Sequence, residues 1–364
     1  MQEDPWSKFA SFDEALWREQ AKDVDLYALK IGDVKLPIRG ERRGLWPPFP
    51  AKALQVDSLA NAWEIQQRHD SNAALLQALQ HGVEGIRVAS ADSFGELLAG
   101  VHLNMVSLHV VGPSSEAQIQ VLKSLGANAE LRGSWLNASS GGSDDAKVQL
   151  DHLNLIQAVF PLLRSWTCPS VQWLNQGDTC YHVMARIGWT LDQFMKSFHS
   201  VERKSQAVLQ VALEWSVGEN ILLEIASLRA LRLFWEQWLE FHQLPTVSVW
   251  INAVNAPYAM DTAKKEDHLI PQTAGVYAAV MGGADGIEAV PHDAAGEVGL
   301  SSPDGLRWAR NVHHIFREES GLHRVTDPMG GSAVVESWTH TLLERAWEEY
   351  RSGYVQDARI KTEH

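Results

Sequence analysis

From residue 83 to residue 327 the chain alternates short apolar runs with stretches of helical spacing, and this alternation narrows the possible folds most. "VEGIRVA" (83–89), "VSLHVVG" (106–112), "AELRGSW" (129–135) and "SVQWLN" (170–175) read as strands, as do "QVALEWS" (210–216), "TVSVWIN" (246–252), "DGIEAVP" (285–291) and "LHRVTD" (322–327). Between them, "SNAALLQALQHG" and "NILLEIASLRALRLFWEQWLEFHQ" repeat apolar residues near every 3.6 positions. In the second, Leu222, Ile225, Leu228, Leu231 and Trp235 make one face, while Arg229 and Arg232 point elsewhere. Eight strands with helical crossovers imply an α/β (β/α)8 TIM-type barrel; an open doubly wound sheet accommodates the same pattern.

Residues 1–50 read as an N-terminal arm and linker, 51–352 as the barrel and 353–364 as a C-terminal tail. The arm holds a short amphipathic helix ("SFDEALWREQA"), a hairpin ("YALKIGDVKLPIRG") and a Pro-Pro run that ends anything helical. "NASSGGSDDAKVQLD" reads as a Gly/Ser/Asp loop. The first residues are acidic and carry no apolar core, unlike a secretory signal. No apolar run approaches the roughly 20 residues of a membrane helix, so a cytoplasmic protein is expected. A net charge of −14 argues against nucleic acid, whose affinity needs clustered Lys and Arg, but leaves room for a local basic pocket. Cys168 and Cys180 read as buried hydrophobes. Fifteen tryptophans fit either core filling or a protein interface.

The motifs are quiet. Gly141-Gly142, Gly282-Gly283 and Gly330-Gly331 belong to no nucleotide fingerprint, and Gly282-Gly283 reads as a helix C-cap in the left-handed conformation. His182, His292, His313 and His314 lack metal-ligand spacing. Asp285, Glu288, His292 and Asp293 flank the seventh strand candidate and read as solvated loop charge. No serine elbow or activated cysteine stands out. On residues alone the expectation is a barrel with no catalytic, cofactor-binding or metal set.

The stretch "ARNVHHIFREESGLHRVTDPMGGSAVVESWTHTLLERAWEEY" resembles the closing segment of the barrel in the methylmalonyl-CoA mutase family. The match runs in order through Ala309, Arg310, Asn311, Glu318, Glu319, Gly321, Val325, Asp327, Pro328, Gly330, Gly331, Ser332, Val335 and Glu336. "SVGENILLEIASLRALRLFW" and "YAAVMGGADGIEAVPHD" are similar to two further blocks of that family, the second entering its seventh strand. "WEIQQRHDSNAALLQALQHGVEGIRV" is a fainter echo of its first barrel strand and helix. The resemblance implies that "LHRVTDPMGGS" is the last strand and its turn, with Arg310, Asn311, Asp327, Pro328, Gly330, Gly331 and Ser332 serving barrel closure. Ser332 would cap the helix that carries Glu336.

The departures shape the functional expectation. Val171 and Gln172 stand where catalytic members carry Tyr and His beside the substrate, if Gly177 ends that motif. The family's Arg-Thr becomes Pro271-Gln272, its Gln-Ser-Leu-His-Thr becomes "DGIEAV", and its Asp-Leu-Pro-Thr is missing after "GIRVA". The Asp-x-His-x-x-Gly cobalt-ligating motif and the cobalamin-binding domain are also missing. The resemblance therefore implies a non-catalytic small subunit that binds no cofactor. A large catalytic partner subunit would carry adenosylcobalamin and interconvert methylmalonyl-CoA and succinyl-CoA. A split mutase whose barrel binds acyl-CoA, and a free-standing acyl-CoA-binding or regulatory module, are the alternatives.

Overall fold

The computed structural model describes residues 61–90, 93–112, 114–136, 154–168, 170–198, 200–255, 265–294, 301–325 and 327–362. The expected arm helix, hairpin and Pro-Pro linker, and the whole Gly/Ser/Asp loop, lie outside these residues.

Eight parallel strands form one sheet: β1 Glu64–Arg68, β2 Gly85–Ala89, β3 Ser107–Val111, β4 Arg132–Leu136, β5 Leu163–Arg164, β6 Ala212–Val217, β7 Trp250–Asn255 and β8 Gly286–Glu288. Their order is β5-β4-β3-β2-β1-β8-β7-β6. A parallel bridge between Trp166 and Val211 joins the two ends, so the sheet closes on itself. This is the (β/α)8 barrel that the alternation implies, not an open sheet.

Six of the eight strand readings coincide with observed strands, and two do not. Residues Ser170–Asn175 form a helix, where Ser170 Oγ donates to the Glu214 carbonyl. Leu322–Arg324 form a 3-10 turn outside the sheet, entered through Gly321 at φ 62°. The strand that closes the barrel against β1 is instead β8, inside "DGIEAV" and counted seventh from the sequence. The first strand is the "EIQQR" of the faint family echo, and β5 is only two residues long.

The turn at 327–332 has a different task from barrel closure. It launches the helix Ala333–Thr362, which lies outside the barrel against the helices Cys180–Lys196 and Ile221–Phe241. Arg229 holds the turn by bonding Asp327 and, at 3.5 Å, Glu336. Glu336 accepts from the Gly331 N–H at 2.7 Å, and the Ser332 carbonyl accepts the first helical bond from the Glu336 N–H. Gly331 sits at φ 82°, where a side chain would be strained. The final helix continues through the expected tail as far as Thr362.

The core between barrel and helices is apolar, with Trp135, Trp215, Trp235 and Trp238 among its fully buried side chains. Of the twelve tryptophans among the described residues, only Trp308 is exposed, at 37%. Core filling is thus their dominant use. On the helix Ile221–Phe241, Leu222 is exposed, while Arg229 and Arg232 are buried in ion pairs, reversing two expectations. Cys168 and Cys180 are free and buried, as expected, and burial pushes both thiols up to about 12. The C-cap expected after the helix Leu269–Met281 is present, with Gly283 at φ 77°. No helix among the described residues is long and apolar enough to cross a membrane.

Candidate functional site

Each barrel strand alternates, as a strand must, between a face toward the helices and a face toward the bore. Here the usual polarity is inverted. Ile65, Ile86, Val88, Leu108, Val110, Trp135, Leu213, Trp215, Ile251 and Ile287 join the apolar core, while the intervening positions carry polar groups. Barrel interiors are more often layers of Val, Ile and Leu. The register sets the polar positions side by side: Arg68 with Arg87, Arg87 with His109, His109 with Ser134, and Glu214 with Asn252.

Arg87 is the hub. Its guanidinium lies 2.6 Å from Glu214 on β6, 2.8 Å from Glu288 on β8 and 3.3 Å from the Gln66 side-chain oxygen. Glu288 is also 3.4 Å from Arg68. Gln66 donates to Asn252 at 2.7 Å and to Glu64 at 2.9 Å, and the Trp250 indole donates to Asn252 at 2.8 Å. Arg164 stacks over the Trp250 ring at 5.0 Å. Burial would raise the pKa of Glu288, but Arg68 and Arg87 outweigh it and hold the carboxyl below its ordinary value. Glu64 is held low in the same way, with His109 outweighing burial.

Three Arg (68, 87, 164) face three Glu (64, 214, 288), so the guanidinium and carboxylate charges of this inner layer cancel. Arg87, Gln66, His109, Ser134, Asn252 and Glu288 are all buried. Ser134 Oγ lies 2.8 Å from His109 Nδ1, and His109 Nε2 lies 2.7 Å from Glu64. This connectivity superficially suggests a hydrolytic triad, yet Ser134 and His109 have no exposed surface, so no acyl carbon can reach the hydroxyl. The layer is a charge-balanced plug across the bore. It spans seven of the eight strands through hydrogen bonds and ion pairs. Sequence reasoning missed it, although the period-2 polarity of "EIQQR", "GIRVA" and "ALEWSV" was the available signal.

Asp285 and Glu288, expected as solvated loop charges, are both buried. Asp285 pairs with Arg232 at 3.0 Å and accepts from the Ile251 N–H, and Glu288 belongs to the plug. His292 lies in a loop but is buried too, stacked on Trp308 at 4.9 Å. His313 is buried and accepts from the Trp63 indole; burial, then nearby Arg317 and His314, pushes its pKa down to about 3.

The residues grouped for barrel closure do not converge. Asp327, Pro328, Gly330, Gly331 and Ser332 form the turn into the final helix, whereas Arg310 and Asn311 lie on the helix Pro303–His314. That helix begins where Ser302 Oγ accepts from the Gly305 N–H, with Pro303 in its first turn. Arg310 faces a cavity of about 610 Å³ between this helix, the helix Asn72–Gln80 and the C-terminal ends of β1 and β8. On the adjacent rim, Val171 packs with Val254, Val290 and Ala294, and Gln172 is exposed.

Residues 202–352 match the family model for methylmalonyl-CoA mutase, a span that runs from β6 to the final helix. Over that span the chain is similar to the methylmalonyl-CoA mutase family. Among its relatives, the methylmalonyl-CoA mutase small subunit of Streptomyces virginiae is 25% identical over 343 residues, covering 86% of this chain and 55% of that protein. The small subunit of Propionibacterium freudenreichii subsp. shermanii is 26% identical over 404 residues, covering 99% of this chain and 61% of the relative. The mitochondrial mutase of Mus musculus is 32% identical over 136 residues, 36% of this chain and 18% of that one. The chain spans a little over half the length of the small subunits it matches. A dihydropteroate synthase from Xanthomonas albilineans superposes with a TM-score of 0.38 and 11% identity, covering 71% of this chain and 94% of that one. That likeness is too slight to argue from.

Proposed function

We propose that this chain is a non-catalytic small subunit of an adenosylcobalamin-dependent methylmalonyl-CoA mutase, supporting a large catalytic subunit. The plug across the bore carries this reading. A substrate reaching the barrel axis would have to break Arg87 away from two carboxylates, leaving buried charge unpaired. The rim supports it too. With Gly177 as the end of that motif, Val171 and Gln172 fall at the positions of the catalytic Tyr and His and offer an apolar contact and an exposed amide. Neither can stabilise a reacting acyl group as an aromatic hydroxyl and an imidazole could.

On this reading the chain itself holds no adenosylcobalamin, in keeping with the apolar Val171, Val254, Val290 and Ala294 on that rim. The partner subunit would carry the cofactor. The small subunits among the relatives are in keeping with such a pairing.

The test is co-expression with a full-length mutase chain from the same source, followed by size-exclusion chromatography with mass detection. A stoichiometric complex is expected, and mutase activity should survive Val171→Ala in this chain unchanged. Separate elution at micromolar concentration, with activity indifferent to this chain, would overturn the reading.

A further inference from the structure

The cavity beside the plug is lined by Arg68, Arg307 and Arg310 and by Asp70, Asp304 and Glu288, and of these arginines Arg310 is the one left without an ion-pair partner among the described residues. Arg310 is only 9% exposed, yet no carboxylate among the described residues pairs with it. Its one hydrogen bond among them is a long one, 3.4 Å to the Gln67 side-chain oxygen. Gln67 is itself fixed by donating to the Leu306 carbonyl at 2.8 Å. His69, 5% exposed and lining the same cavity, has no hydrogen-bond partner at either ring nitrogen among the described residues. Buried polar groups are seldom left this way, because each lost hydrogen bond carries a desolvation cost.

The nearby carboxylates do not answer Arg310. Glu288 is engaged by Arg68 and Arg87, Asp304 pairs with Arg307 at the rim, and Asp70 is exposed. Arg307 instead adds positive charge and, after burial, helps press the Arg310 pKa down. Burial and Arg310 together push His69 down to about 4, so at neutral pH it carries one N–H donor. Ala74, Ala78, Val290 and Leu306 give the cavity an apolar wall, beside polar lining groups that include Gln77, Ser301 and Asn311.

The geometry points to a binding site for a small organic anion, its carboxylate or phosphate held by Arg310 and His69 and its carbon chain lying along Ala74, Ala78, Val290 and Leu306. The site borders the plug, with Arg68 and Glu288 lining both, and it does not depend on the small-subunit reading. Neither a partner chain nor turnover is needed to see it.

The experiment is isothermal titration of the full chain at neutral pH and fixed ionic strength with three probes: butyrate, butyl phosphate and inorganic phosphate. At least one alkyl anion is expected to bind more tightly than inorganic phosphate. Preference for butyrate assigns a carboxylate ligand, and preference for butyl phosphate a phosphoryl one. Arg310→Gln should weaken binding about tenfold or more, the usual scale for a charge-assisted hydrogen bond. Ala74→Trp keeps every charge and fills the cavity, so it should abolish binding while the thermal melt stays cooperative; it also serves if Arg310→Gln folds poorly. In NMR titrations the His69 pKa should rise from about 4 when the anion is present. Absence of binding by all three probes overturns the inference, as does undiminished binding in a folded form of either variant.

Discussion

Replacing Arg87 by Met tests the plug directly. Met is apolar and nearly as long, so the substitution removes the charge without opening a large cavity. In the native barrel the guanidinium is 1% exposed and engages Glu214 at 2.6 Å and Glu288 at 2.8 Å. Its loss leaves Glu288 with only Arg68 at 3.4 Å, and strips Glu214 of its ion-pair partner among the described residues. Removing one partner of a buried pair costs about 3–5 kcal/mol. Native Glu288 has a lowered pKa, so its contribution is present above the unfolded value and fades as pH falls through the folded one. In Arg87→Met that sign reverses. Uncompensated carboxylates titrate high, so the penalty should be greatest at pH 7 and shrink toward pH 5. Adding Glu214→Gln and Glu288→Gln should recover most of the loss, because a neutral layer costs less than a broken pair. Urea unfolding followed by tryptophan fluorescence at both pH values is the assay. If Arg87→Met unfolds within about 1 kcal/mol of the native chain at pH 7, Arg87 is hydrated and the bore is open. The functional reading built on the plug would then fail as well.

Two further predictions concern stability away from the bore. Burial pushes Glu224 up to about 8 despite the hydrogen bond it accepts from the Gly218 N–H. With the folded pKa raised, stability is fully present below the ordinary carboxylate value and is lost as pH rises toward 8. Glu224→Gln should therefore gain on the native chain by roughly 1 kcal/mol per pH unit across that window, read by denaturation at several pH values. Two glycines should part company under substitution by Ala. Gly331, at φ 82° with open space where the added methyl would sit, should cost about 1 kcal/mol in a thermal or urea melt. Gly133, at φ 123° on β4, would place that methyl 2.0 Å from the Leu108 carbonyl oxygen on β3, and Gly133→Ala should fail to yield soluble barrel.

The barrel itself was legible in the chain because its strand windows are short, apolar and regularly interrupted by helical spacing. β2, β3, β4, β6, β7 and β8 all fall within or across those windows. β1 was visible only through family likeness, since Glu64, Gln66, Gln67 and Arg68 leave "EIQQR" with a single large apolar residue. β5, two residues long, carries no periodicity to detect. "SVQWLN" and "LHRVTD" contain strand-forming residues, yet neither enters the sheet. Ser170 bonds the Glu214 carbonyl across 44 positions, and Asn61 holds the Leu322 and His323 carbonyls from more than 260 positions away. The same logic governs the site. Each strand reveals that its alternate positions are polar, but not that Arg87 meets Glu214 across 127 positions. Nor does the sequence reveal that Arg310 meets no carboxylate among the described residues. Charge pairing inside a closed barrel depends on register and curvature around the whole sheet, so only the tertiary structure decides which polar residues neutralise one another and which are left facing a cavity.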